Sequence, residues 1–139
     1  MTEPVDKLRI TLRENGYSLT APRQIVFAAL QNQEPQTIRQ LVTACSSQID
    51  RASVYRTFQL FEKLNIVQRL QIGWKYKIEL SDEFSRHHHH LSCLVCGAVV
   101  PFKQDEILEK RLYKLSKIQG FKPQDHQLEI RGVCQNCQD

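Results

Sequence analysis

A chain of 139 residues has room for one ordinary domain or two small ones. Its 41% hydrophobic and 24% charged residues are typical of a soluble globular protein. Apolar runs such as Ile25 to Leu30 are far too short to span a bilayer, and the N-terminal MTEPVDKLR has neither the basic nor the apolar region of a secretory leader, so the expectation is a cytoplasmic protein. The net charge of +4 is one-sided: residues 1–80 hold eleven Lys/Arg against seven Asp/Glu, whereas residues 81–139 hold eight of each. That asymmetry fits a polyanion partner for the first half and a different task for the second.

In chain order, Val5, Leu8 and Leu12 recur at helical spacing, and Gly16 ends that helix. Thr20 precedes Ala21-Pro22 as an N-cap followed by proline in the first turn, and Ile25, Val26, Ala29 and Leu30 form the next apolar stripe. A short third helix from Thr37 carries Ile38, Leu41, Val42 and Cys45, with Cys45 read as a core thiol. Asp50 caps a fourth helix whose stripe is Val54, Phe58, Phe61 and Leu64. Its other faces carry Arg51, Ser53, Tyr55, Arg56, Gln59 and Lys63, side chains able to bond phosphates and base edges.

After Asn65 the periodicity changes to that of strands, with Ile66 to Gln71, a turn at Gly73, and Trp74 to Leu80 alternating apolar and polar. Helices followed by a two-stranded hairpin are in winged-helix order, where the last helix before the hairpin enters the major groove. A basic amphipathic helix alone is ordinarily a solvated surface. The order of elements and the one-sided charge favour DNA.

The second half is dominated by metal-ligand spacing. Cys93-Leu-Val-Cys96-Gly97 and Cys134-Gln-Asn-Cys137 are two CxxC knuckles, and in a reducing compartment two such knuckles imply a closed tetrahedral zinc site of structural rather than catalytic kind. Between them the pattern predicts a strand from Ala98 to Phe102, a helix from Asp105 to Ile118 with a Leu108/Leu112/Leu115 stripe, Gly120 as its stop, and a further strand from His126 to Arg131. His87-His88-His89-His90 runs directly into the first knuckle. In an extended segment His87 and His89 face one way and His88 and His90 the other, so the run suggests two adjacent metal sites. With that cluster nearby, His126 reads as a ligand rather than a core histidine.

Taken together, Leu19-Thr-Ala-Pro-Arg23, Ala52-Ser-Val-Tyr-Arg56, His87 through Gly97, and Gly120-Phe through Cys137 make nearly the whole chain resemble the ferric uptake regulator (Fur) family of bacterial metal-dependent repressors. The resemblance implies an α+β protein: a winged-helix DNA-binding domain over 1–80, then a small α/β zinc-stapled dimerisation domain over 81–139. It implies a homodimer on an inverted-repeat operator in double-stranded DNA, with Tyr55 and Arg56 on the recognition helix; Arg51, Ser53, Tyr55, Arg56 and Thr57 are the expected DNA-binding residues. It further implies structural Zn²⁺ at Cys93, Cys96, Cys134 and Cys137. Regulatory Fe²⁺, Zn²⁺ or Mn²⁺ would bind at His87, His89, Glu109 and His126, and at Glu79, His88 and His90. One departure stands out. Many members place a further His ligand before the third helix, where this chain has Gln33-Glu34-Pro35-Gln36. Either Glu34 substitutes or the Glu79 site is altered, and peroxide sensing is disfavoured. The alternatives are a metal-buffering protein, which would not need the basic helix, and a zinc enzyme, for which the chain has no HExxH or comparable motif.

Overall fold

The computed structural model describes residues 3–72 and 75–139. The expected turn at Gly73 and the strand start at Trp74 fall outside the described residues. The chain divides into two compact units, Met1–Arg86 and His87–Asp139.

The first unit is built from α1 (Pro4–Glu14), α2 (Ala21–Leu30), α3 (Ile38–Cys45), α4 (Arg51–Lys63), β1 (Val67–Ile72) and β2 (Lys75–Leu80). Each helix places its apolar stripe inward. Leu8 and Leu12 of α1, Val26 and Phe27 of α2, Leu41 and Cys45 of α3, and Val54 and Phe61 of α4 are all buried. Each such large side chain contributes roughly 1.5–3 kcal/mol on leaving water. α1 ends where Gly16 adopts a positive φ of 84°, which lets the Tyr17 amide donate to the Leu12 carbonyl at 2.8 Å. At α3, Thr37 and Gln40 form a reciprocal capping box, with bonds of 3.1 and 2.9 Å. Thr20 and Asp50 do occupy N-cap positions, but neither side chain bonds its helix's N–H groups. The Asp50 carboxylate instead accepts the Ser53 hydroxyl.

β1 and β2 form an antiparallel hairpin, Val67 opposite Leu80 and Arg69 opposite Ile78. A feature outside the expected pattern extends it. Gln36, in the segment before α3, exchanges both backbone hydrogen bonds with Ile78, at 3.0 and 2.6 Å, and so ties that segment to the hairpin's free edge. The residues from Ser81 to Arg86, expected with the second half, pack with the first unit. Phe84 is the reason: it is buried, with its ring edge-on to Phe27 at 5.9 Å.

The second unit is a three-stranded sheet in the order β4-β3-β5, from β3 (His88–Cys93), β4 (Val99–Lys103) and β5 (Glu129–Gly132). β3 is central, antiparallel to β4 and parallel to β5. α5 (Glu106–Ile118) connects β4 to β5, capped by Asp105, whose carboxylate accepts the Ile107 amide at 2.9 Å. The expected Leu108/Leu112/Leu115 stripe is only partly buried. A three-stranded sheet is too small to cover a helix of this length, and Leu115 stays 47% exposed. The expected strand from His126 starts only at Glu129. His126 lies in the extended segment before it, outside the ladder. Among the described residues no helix is long and apolar enough to cross a membrane.

Candidate metal centres and DNA-binding helix

The two CxxC knuckles meet although 37 residues lie between them. β3 delivers Cys93 at its end, and the parallel partner β5 runs alongside it to Gly132, two residues before Cys134. The four sulfurs lie within 4.8 Å of one another, with Cys96 and Cys134 Sγ 3.8 Å apart. For zinc–sulfur bonds of about 2.3 Å, the edge of a tetrahedron is about 3.8 Å, so the donors fit Zn²⁺. Gly97 permits the first knuckle to turn, with φ of 75° and its amide donating to the Cys93 carbonyl at 3.0 Å.

The amides of Cys96 and Cys134 point at Cys93 Sγ from 3.5 and 3.4 Å. These donors, Cys134 foremost, lower the Cys93 pKa to about 6. Cys137 is pushed up to about 12, first by its hydrogen bond with Cys134 and then by burial. Cys93 is therefore a ready thiolate, whereas Cys137 needs a cation to ionise it.

A second cluster forms on one face of β3. His87 and His89 share that face, their ring centroids 4.7 Å apart, while His88 and His90 pair at the same distance on the other face. Strand alternation thus separates the run into the two pairs expected. Glu109 of α5 and His126 complete the first pair. His87 Nε2 lies 3.1 Å from His126 Nε2 and 3.4 Å from Glu109 Oε1. His126 Nε2 lies 2.7 Å from Glu109 Oε2, and His89 Nε2 also bonds the carboxylate. Donors around one ion at about 2.1 Å sit about 3.0–3.4 Å apart, so this set fits a divalent cation.

His89 is 1% exposed, and its Nδ1 is buried without a hydrogen-bond partner, leaving Nε2 as the nitrogen committed to the cluster. Burial raises the Glu109 pKa, but the His89 hydrogen bond and the charges of His126, His87 and His89 outweigh it. The carboxyl is held below its ordinary value and stays an anion.

Glu79 sits on β2 in the first unit. It is buried, and its Oε1 accepts from Gln68 Nε2 at 2.7 Å. Sequence reading did not single out Gln68; its signal is its position directly opposite Glu79 in the hairpin. In the segment that departs from the family pattern, Glu34 is exposed and Pro35 buried.

On α4, four of the five expected DNA-binding residues reach the surface. The Arg51 guanidinium stacks on Tyr55 at 5.4 Å. Arg56 Nη2 donates to Ser53 Oγ at 3.3 Å, and Ser53 donates in turn to Asp50. That hydroxyl bond holds the Asp50 carboxyl below its usual range. Asp50 was read only as a cap; its spacing of three to Ser53 and six to Arg56 is the signal for this chain. Thr57 is the exception. It is 5% exposed because it stands three residues after Val54, on the stripe that faces the core.

The model of the ferric uptake regulator family matches residues 14–131. The ferric uptake regulation protein of Bacillus subtilis is 33% identical, with 99% of this chain and 96% of that protein aligned. That of Synechococcus elongatus is 30% identical over 99% and 97%. Among solved structures, the ferric uptake regulator of Pseudomonas aeruginosa with manganese superposes with a TM-score of 0.76 at 27% identity, covering 97% of this chain and 99% of that one. A zinc-bound manganese uptake regulator gives 0.64 at 29% identity, over 91% and 98%. A match that runs from residue 14 to residue 131, with relatives aligned almost end to end, establishes that this chain belongs to the ferric uptake regulator family of metal-responsive transcriptional regulators.

Proposed function

We propose that the protein is a homodimeric repressor that binds an inverted-repeat operator when a divalent ion, Fe²⁺, Zn²⁺ or Mn²⁺, is held by His87, His89, Glu109 and His126. The observation that carries this reading is the convergence of three imidazole Nε2 atoms and one ionised carboxylate on a single point, from β3 and the residue just before it, α5 and the segment before β5. The bound ion would supply a double positive charge that ties these three segments together. Imidazole and carboxylate donors accept several divalent metals, and solved relatives hold manganese in one case and zinc in another.

Cys93, Cys96, Cys134 and Cys137 hold structural Zn²⁺, with no coordination position left for chemistry. Glu79, His88 and His90 are assigned to a further regulatory ion by position in the family resemblance, supported by the separate pairing of His88 with His90 on β3. Arg51, Ser53, Tyr55 and Arg56 of α4 read the major groove, with Arg56 suited to bidentate contact with guanine. The C-terminal units pair, a reading supported by apolar side chains that one chain leaves in water: Ile107 is 81% exposed, Ile118 75% and Ile130 52%. DNA affinity rises with metal because the ligands bind the ion better in the DNA-competent arrangement than in the other.

Fluorescence anisotropy on a fragment of the protein's own promoter tests the scheme. Binding is compared after metal stripping and after restoring Zn²⁺, Mn²⁺ or anaerobic Fe²⁺, with a scrambled duplex as control. Sequence-specific binding with one ion, lost on chelation, is the expected result. Equal binding with and without metal would remove the sensing role.

A further inference from the structure

Arg69 is a cation on the core side of its hairpin. The register places Val67, Arg69 and Gln71 opposite Leu80, Ile78 and Tyr76, so Arg69 shares its face with the residues that pack towards α4. There its Nε and Nη2 both donate to the Glu62 carboxylate of α4, the second bond at 2.9 Å. Its guanidinium lies 4.3 Å from the Tyr76 ring centroid and 5.3 Å from that of Phe58. Those two rings are themselves stacked, 6.4 Å apart and tilted by 13°. One guanidinium therefore joins α4, β1 and β2.

The pair is half-exposed, 44% for Arg69 and 37% for Glu62, so water screens it and it adds little to stability. What it does supply is direction. A planar fork held by two hydrogen bonds and two ring faces has one orientation, and it fixes how the hairpin stands on the helix. The hairpin carries Lys75 and Lys77 on its other face, and α4 carries Arg51 and Arg56.

We propose that Arg69 is a positioning residue of the DNA interface: through Glu62 it locks the hairpin to α4, so that Lys75, Lys77, Arg51 and Arg56 meet the duplex phosphates as one rigid surface. This rests on the DNA-binding reading above, and wild-type binding to the promoter fragment, measured first, tests that reading separately.

The experiment is anisotropy on that fragment at saturating Mn²⁺ over a series of salt concentrations. It compares wild type, Arg69→Leu, Lys75→Ala/Lys77→Ala and the combination. Each phosphate contact contributes about 0.9 to the slope of log affinity against log salt. Arg69→Leu is expected to lower the slope by about two, the double lysine variant to lower it equally, and the combination to lower it no further. An unchanged slope in Arg69→Leu, or full additivity with the lysine changes, would overturn the proposal. A purely structural ion pair would lower the melting temperature and leave the slope alone. Glu62→Gln, which keeps the arginine and its ring contacts, goes through the same cycle and decides the matter if Arg69→Leu does not fold.

Discussion

His87 and His126 present their Nε2 atoms to each other at 3.1 Å across a sequence separation of 39 residues. Two ring nitrogens that close can place at most one proton between them, and the Glu109 carboxylate beside them only accepts. A divalent cation satisfies all of these lone pairs at once. Replacing His126 with Ala should therefore raise the dissociation constant for the regulatory metal at least about tenfold. Zinc bound by the cysteines should not change. Competition against a chromophoric chelator, with metal content by mass spectrometry, reads both, and loss of cysteine-bound zinc would show that the two centres are not independent.

His88→Ala/His90→Ala is aimed at the other face of β3. The variant is expected to remain dimeric by sedimentation and to retain its cysteine-bound zinc, yet to need more metal for operator binding, because only the centre at His87, His89, Glu109 and His126 is left to respond. A full metal response would exclude these histidines from regulation.

Removing a zinc ligand has a different consequence. The second unit has few fully buried apolar side chains, Cys93 and Val99 among them, so its core alone is a weak source of stability. Structural zinc is worth about 10–16 kcal/mol in small zinc-dependent folds. Cys134→Ser should thus unfold residues 87–139 and abolish pairing, while the helical first unit still melts cooperatively. Circular dichroism and sedimentation check this; a folded, dimeric variant would show that zinc is dispensable to the unit.

The cysteine site also sets the pH dependence of zinc loading. In the folded site the amides of Cys134 and Cys96 hold the Cys93 pKa down to about 6, whereas Cys137 is pushed up to about 12, so Cys137 must give up a proton to the metal at neutral pH. Zinc affinity should therefore rise with pH between about 6 and 9, as ligand protons cease to compete with the ion. Chelator competition over that range checks it; a flat profile would show that the thiols are not the ligands.

On α4 the structure separates recognition from packing. Arg56→Ala should cost about 1–3 kcal/mol of operator discrimination and leave thermal stability nearly unchanged. Thr57→Ala should do the reverse, lowering the melting temperature and leaving discrimination intact, because Thr57 lies in the core. Paired operator and scrambled-duplex titrations with thermal melts distinguish the two.

The periodic features were legible in the sequence. The α4 stripe follows from a repeat of 3.6 residues, and the division of the four histidines follows from a repeat of two once the segment is extended. Paired CxxC spacing announced the cysteine site. Contacts that depend on distant partners were not legible. Nothing local says that Phe84 turns back onto Phe27, or that Gln36 pairs with Ile78. His126 was read as a strand residue because its neighbours alternate, yet β3 has four residues of β5 to pair with, and the ladder stops short of it. Thr57 was expected to touch DNA, yet its place three residues after Val54 puts it on the buried side of the helix.

β3 carries donors to both of its faces and ends in a cysteine of the zinc knuckle. Its residues thus have a reading frame in the genetic sense. Deleting one of the four histidines would turn those before it to the opposite face, or else draw Cys93 out of its knuckle. Point substitutions here can tune one centre at a time, but insertions and deletions strike every centre the strand serves. New metal preferences in this lineage are therefore expected to arise by exchange of side chains at fixed positions, with the length of this strand held constant.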